Sequence, residues 1–385
     1  MNLLPSGLLK PVTLKKTSFI LFLITAIVIA IQHYYKPSFN NYKVFVAAFQ
    51  HLLDGNNLHD YYPAEHDDQF LYAPPAAVWL GIFSMFKTSI GLILWNICTA
   101  MSWWFAIYFL PDLELQVKNK IVFFSFIELT TSLHNLQTNP LLVAMMVSSF
   151  IFLEKQQTWK SHFMTSISFF TKGISGAAVF LIPFYNSFLK NSIQFFIAFM
   201  IVAMLPALFT GIQVLPRLYL DWIHVLLDDH KVNSGISVIG LIHHNISTQV
   251  SGYLIQVVGL ILFVVDLIYL LIKRKNTFGW RLFVLSFILM WVILFNHAAE
   301  SSGYIFGVTG VSLYLFTKQL DKTDQVLLYL VFLFTVLAPT DLYPKVFRTF
   351  LFDHSIKALP VLLVWIKMHI DLFKPRSPYE LKLNG

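Results

Sequence analysis

The chain has 385 residues, of which 57% are apolar and 12% charged, and a formal net charge of +7. Soluble domains carry about a quarter charged residues, so a soluble fold is excluded. The basic balance reads as lysines on cytoplasmic loops, with no nucleic-acid partner. The single cysteine, Cys98, lies in an apolar stretch, so no intrachain disulfide forms and none reports on the compartment.

Mean hydropathy is +0.66, and a membrane span needs roughly 20 apolar residues, fewer in packed or broken helices. The first candidate is 17–34, TSFILFLITAIVIAIQHY. It lacks a small-residue cleavage site and is long enough to span, so it reads as a retained anchor. Further spans are expected at 90–110, 119–134, 139–154, 159–172, 174–188, 191–210, 250–272, 279–296, 303–317, 324–338 and 356–373. The total of twelve is even, which puts both termini on one side. Lys10, Lys15 and Lys16 precede the first span, and Lys374 and Arg376 follow the last. Lys118 and Lys120, Lys155 and Lys160, Lys190, Lys273–Lys275, and Lys318 and Lys322 then share that side, which is expected to be cytoplasmic. The stretch 73–87 is apolar but short and contains Pro74-Pro75. It is read as a re-entrant or interfacial helix, which is tolerated where protein covers it. The expected fold is thus one all-α polytopic domain over 1–385, with about 12 transmembrane helices in the lipid bilayer.

The outer face then receives two large loops, 35–89 and 211–249, and shorter ones at 134–139, around Lys172, at 296–303 and at 339–355. No G-x-x-x-x-G-K-[ST] and no G-x-G-x-x-G occurs, so an ATP-driven pump is not expected. A transferase using cytosolic sugar nucleotides would need a soluble domain that the spacing leaves no room for.

The first outer loop holds Asp54, Asp60, Glu65, Asp67 and Asp68 with His51, His59 and His66. A carboxylate held near lipid serves as a general base when its pKa is raised. The plainer reading is a solvated loop, but aromatics interleaved with the acids in YYPAEHDDQFLYAPP suit stacking on a sugar ring. Lys172 lies between apolar runs, where a lysine is costly unless paired; it either snorkels to the interface or meets a lipid phosphate. Gln137 and Asn139 start a helix; the plain reading is a cap, with Asn139 before Pro140, and the alternative is that both side chains face a substrate cavity. His297 and Glu300 are three residues apart and share a face if the turn is helical. HExxH is absent, so a proton-relaying pair is favoured over a metal site. His243-His244, Asp228-Asp229-His230 and Asp353-His354 lack metal spacing and carry little weight. Glu128 and Asp266 fall inside expected spans without an assigned role.

The order of segments is distinctive: NNYKVFVAAFQHLLDGNNLHDYYP, FLYAPPAAVWLGIFSMF, LQTNPLLVAMMVSSFIFLEK, SFFTKGISGAAVFLIPF and FNHAAESSGYIFGVTGV. Over roughly 17–370 it resembles the bacterial glycosyltransferase family 87 of the GT-C superfamily. The resemblance implies a GT-C-like bundle in the bacterial inner membrane with its active site facing outward. The implied reaction moves a sugar, usually mannose, from a polyprenyl-phosphate donor to a glycan or glycolipid acceptor, with inversion. No cofactor and no metal are expected. The family's G-Q-x-N segment matches Leu136-Gln137-Thr138-Asn139, with leucine in place of glycine. Its later lysine looks like Lys172 and its late histidine like His297. Many members carry an acid at the start of the first outer loop, where this chain has Asn40-Asn41. Asparagine cannot take a proton, so the base is sought at Asp68 or Glu65, or at His297 and Glu300, unless the reaction is lost or different. Asp68 is the first choice, completed by His297 and Glu300. Substrate binding is expected of Lys172, Gln137, Asn139, Asn41, Glu65, Tyr72 and Arg217. The competing readings are a transporter or flippase of lipid-linked sugar, which would show internal repeats, and a non-catalytic membrane scaffold.

Overall fold

In the computed structural model, which describes residues 10–230, 235–273 and 277–373, every regular element is a helix. The chain opens with α1 (Pro11–Tyr35), α2 (Asn40–Asp54) and α3 (Pro74–Leu80), the last prolonged by a 3-10 turn, Gly81–Met85. Then come α4 (Thr88–Phe109), α5 (Leu115–His134), α6 (Asn139–Glu154) and α7 (Thr158–Thr171), followed by a 3-10 stretch, Gly173–Phe184. Helices α8 (Phe188–Ala203), α9 (Ala207–Thr210), α10 (Leu215–His230), α11 (Val238–Asn245) and α12 (Gly252–Lys273) form the middle. The last third is α13 (Phe278–Leu294), α14 (Ile305–Phe316), α15 (Lys322–Val331), α16 (Lys345–Asp353) and α17 (Ala358–Leu372). Arg274, Lys275, Lys374 and Arg376, all expected on the cytoplasmic side, lie outside the described residues.

Local chemistry sets several boundaries. Prolines stand in the first turn of α1, α3 and α6, where a missing N–H costs nothing. Gly55 ends α2 with φ +72°, the left-handed cap that glycine adopts without strain. Asp321 caps α15 in a reciprocal box with Asp324.

Four helical segments are long and apolar enough to cross a membrane: Pro11–Tyr35, Thr88–Phe109, Phe188–Thr210 and Gly252–Lys273. The pair α16 and α17, bent by 50°, makes a fifth where it is taken as one broken span. A helix occupies each of the other expected spans, but several are short. The 16 residues of α6 rise only about 24 Å at 1.5 Å per residue, against a hydrocarbon core of about 30 Å. Such helices are buried among others: α13 and α14 pack on each other, α6 sits between α4 and α7, and α1 lies against α4 and α5. Their buried aromatic core includes Phe283, Phe287, Trp365 and Tyr314.

The stretch 211–249, expected as the second large outer loop, is largely helical. In α10, Leu215, Leu218 and Val225 are buried while Arg217, Asp221 and Asp228 interrupt the apolar pattern. The charges hid a helix that is amphipathic rather than uniformly apolar.

The helix directions give the bundle two unlike ends. Lys118 opens α5, Lys155 follows α6, Lys160 opens α7 and Arg281 opens α13. Gln137 follows α5, Lys172 follows α7 and His297 follows α13, at the opposite end. The first end is tied by ion pairs: Arg281 Nε to Glu154 Oε1 at 2.6 Å, and Lys318 Nζ to Asp324 at 2.8 Å and to Asp371 at 3.0 Å. The second end holds the cavity.

Candidate active site

A cavity of about 480 Å³ lies where the first outer loop, α10 and the turns after α5, α7 and α13 converge. Its polar wall carries Asp68, Gln137, Lys172, Asp229, His297 and Glu300. Its apolar wall includes Val44, Phe45, Ile223, Leu226 and Leu227. Ile223 and Leu227 keep about half of their surface accessible, so α10 gives the cavity an apolar side. A ligand with a charged head and a hydrocarbon tail fits such a division.

Asp68 stands at the rim, solvent-exposed by area but crowded by neighbouring atoms. Its Oδ1 accepts the backbone N–H of Gln69 at 2.8 Å. Desolvation pushes its pKa up, and the carboxylates of Glu300 and Asp229 add to the rise, against that hydrogen bond. The loop that carries Asp68 is pinned on both sides. His59 Nδ1 meets the Phe70 carbonyl at 2.6 Å, and Trp222 of α10 donates to the Leu71 carbonyl at 3.1 Å. Tyr72 bonds Thr138 at 2.9 Å and stacks on Phe45, 5.4 Å between ring centres.

Gln137 reaches the cavity because the chain turns sharply at Leu136, whose φ is +49°. A left-handed residue is costly for anything but glycine, about 1–2 kcal/mol. Burial at 1% exposure and the bond from Trp95 to its carbonyl at 3.1 Å hold Leu136 in place. Gln137 donates to Glu300 Oε2 at 3.1 Å, and Ser302 donates to the same oxygen at 3.0 Å. Lys172 ends α7 and points its ammonium toward Asn139 Oδ1 at 3.4 Å, with Glu300 and Asp229 acting on it across the cavity. His297 Nε2 lies 3.3 Å from Asp229 Oδ2.

Seven of the ten residues singled out in the sequence therefore line one cavity: Asp68, His297, Glu300, Lys172, Gln137, Asn41 and Tyr72. Asn41 donates to the Asn135 carbonyl at 2.7 Å and so braces the Leu136 turn. Asn139 is buried behind the wall as a support for Lys172. Glu65 and Arg217, like Asn139, do not line the cavity. Glu65 reaches back to His51 at 3.1 Å, and Arg217, with a 76% exposed side chain, faces Asp221 along its own helix. Asp229 is the residue the sequence undervalued. It enters through α10, and only recognition of that helix, with Trp222 and Asp229 seven positions apart on one face, would have found it.

The model of glycosyltransferase family 87 matches residues 70–294, more than half of the chain. The chain belongs to glycosyltransferase family 87. Among curated proteins none matches it. As a member of this family it is a membrane glycosyltransferase, acting on a sugar donor and an acceptor. The match begins at Phe70, two residues beyond Asp68, and ends at Leu294, just before His297. The family 87 core thus supplies Tyr72, Gln137, Lys172 and Asp229 to the cavity, and the segments flanking it supply Asn41, Asp68, His297 and Glu300.

Proposed function

We propose that this family 87 protein transfers a hexose, mannose in the first instance, from a polyprenyl-phosphate donor to a lipid or glycan acceptor. The reaction takes place at the outer face of a bacterial inner membrane, in a GT-C-type bundle of about twelve spans. The observation that carries this reading is the cavity itself, where one cation, Lys172, faces three carboxylates beside an apolar wall. A lipid phosphate satisfies both halves: its charge meets Lys172 and its chain leaves along α10.

In this reading the acceptor hydroxyl attacks the anomeric carbon from the side opposite the phosphate. The new bond forms as the bond from the anomeric carbon to the phosphate oxygen breaks, so configuration inverts. Asp68 takes the hydroxyl proton. Lys172 offsets the charge left on the departing lipid phosphate. Glu300, held by Gln137 and Ser302, and the His297–Asp229 pair position the sugar hydroxyls and fix the polar wall. Asp68 replaces the acid missing at Asn40-Asn41; Asn40 accepts from the Asp67 backbone N–H at 2.7 Å and holds the Asp68 loop near that original position. Transfer from polyprenyl-phosphate-mannose in proteoliposomes tests the reading. Retention of the sugar on the donor with every acceptor class would reject it, and movement of intact donor across the bilayer would favour a flippase.

A further inference from the structure

Away from the cavity, the first outer loop folds back on α2 and brings together three metal-ligating side chains that the chain keeps apart. His51 comes from α2, and Glu65 and His66 from the turn that follows Tyr62. One ligand atom from each lies within 4.8 Å of the other two. His51 Nε2 and Glu65 Oε2 are 3.1 Å apart. Both histidines are 4% exposed. Among the described residues His66 Nδ1 is buried without a hydrogen-bond partner, a cost that a metal ligand bond would remove. We propose that His51, Glu65 and His66 hold a divalent transition metal of the zinc class, completed by water.

The donor set favours a borderline transition metal over the hard alkaline-earth cations. Two imidazoles and one carboxylate suit zinc, with bonds of about 2.0–2.2 Å, whereas calcium and magnesium take oxygen ligands. Zinc-bound nitrogens and oxygens in a tetrahedron sit about 3.2–3.5 Å apart, so small side-chain rotations from the present separations close the site. The Tyr62 ring covers His51 at 3.9 Å between centres, and the Glu65 and His66 N–H groups both bond to the Tyr62 carbonyl, at 2.9 and 3.0 Å. These contacts supply the shell that orients a ligand.

None of the three residues lines the cavity, so the metal does not touch the reacting atoms. Its effect is structural: it fastens the loop to α2 two residues before Asp68. This departs from the expectation that no metal is bound, and it is independent of which donor or acceptor is used.

The test is metal content and spectroscopy on the full-length protein in detergent, without any turnover. Protein dialysed against zinc and then against buffer is expected to retain about one zinc per chain. Cobalt substitution in the wild type is expected to give the visible bands of a four- or five-coordinate nitrogen and oxygen site, and this measurement needs no variant. The pair His51→Gln with His66→Gln should weaken zinc binding by more than about 100-fold, beyond what loss of an outer-shell partner costs. Asp60→Asn, an exposed acid of the same loop, should leave it unchanged. Zinc should raise the wild-type melting temperature and a chelator should reverse this, with neither effect in the double variant. Less than a tenth of an equivalent in the wild type, or zinc held equally by the double variant, would overturn the site and leave His51 and Glu65 as a simple hydrogen-bonded pair.

Discussion

At the scale of single residues, the site depends on where protons and charges can rest. Asp68→Asn keeps the shape of the rim but removes the proton acceptor. Turnover should fall by about 10²–10⁴-fold with little change in donor affinity; full activity in Asp68→Asn, with loss in Glu300→Gln or His297→Ala, would relocate the base to the late turn. Lys172 is expected to act on the donor. Among the described residues its one direct hydrogen bond is the long one to Asn139, which leaves its charge available to a phosphate. Lys172→Ala should weaken donor binding, read as a raised KM for the lipid phosphate, while the protein stays folded and inserted. Unchanged donor kinetics would return Lys172 to an interfacial role. Leu136 shows how a single residue records the site's demands. A glycine at this turn would take the positive φ without strain, and this chain instead keeps a buried leucine there at a backbone cost of about 1–2 kcal/mol.

At the scale of elements, most of the polar residues of the cavity sit on the loop before α3 and the turns after α5, α7 and α13, with Asp229 supplied by α10. Gly235, with φ +58°, packs against the turn 297–299, and a Cβ there would run into the backbone of His297 and Ala299. Ile236 N–H donates to the Ala299 carbonyl at 2.6 Å from the other side. Gly235→Ala should therefore lower the melting temperature, at about 1–2 kcal/mol for the backbone alone, and reduce activity by displacing His297; a silent substitution would mean that the turn is not positioned by this contact. Behind the same turn, Lys357 of the α16–α17 bend bonds Glu128 of α5 at 3.0 Å and the Ser301 hydroxyl at 2.9 Å. Both charged side chains are fully buried. Removing one partner, as in Glu128→Gln or Lys357→Met, is expected to cost about 3–5 kcal/mol, because the remaining charge is left without its partner. Thermal unfolding in detergent measures this, and the double replacement should recover much of the loss.

At the scale of the whole molecule, the cavity and the basic helix ends lie at opposite ends of the bundle. The positive-inside rule leads us to propose that the Lys118 end is cytoplasmic and the cavity faces outward. Labelling of single cysteines placed at Gly55 and Lys118, in a Cys98→Ser background, should then find them on opposite sides of the membrane. Labelling of both from one side would break the topology.

The sequence by itself determined the class of protein and most of the wall of the site. Low charge and long apolar runs leave only a helical membrane fold, because every backbone group in lipid must bond within its own helix. Polar residues in otherwise apolar surroundings, such as Gln137, Lys172 and His297, are costly enough to mark the site without a structure. Tertiary structure decided the rest. Asp229 joined the cavity through a helix whose apolar face is interrupted by charge, so neither hydropathy nor spacing revealed it. Glu65 turned away from the cavity to His51, because the loop folds onto α2, and chain order says nothing about that fold. Side chains separated by many residues meet only when helices pack, and packing is set by the shapes of all the faces together.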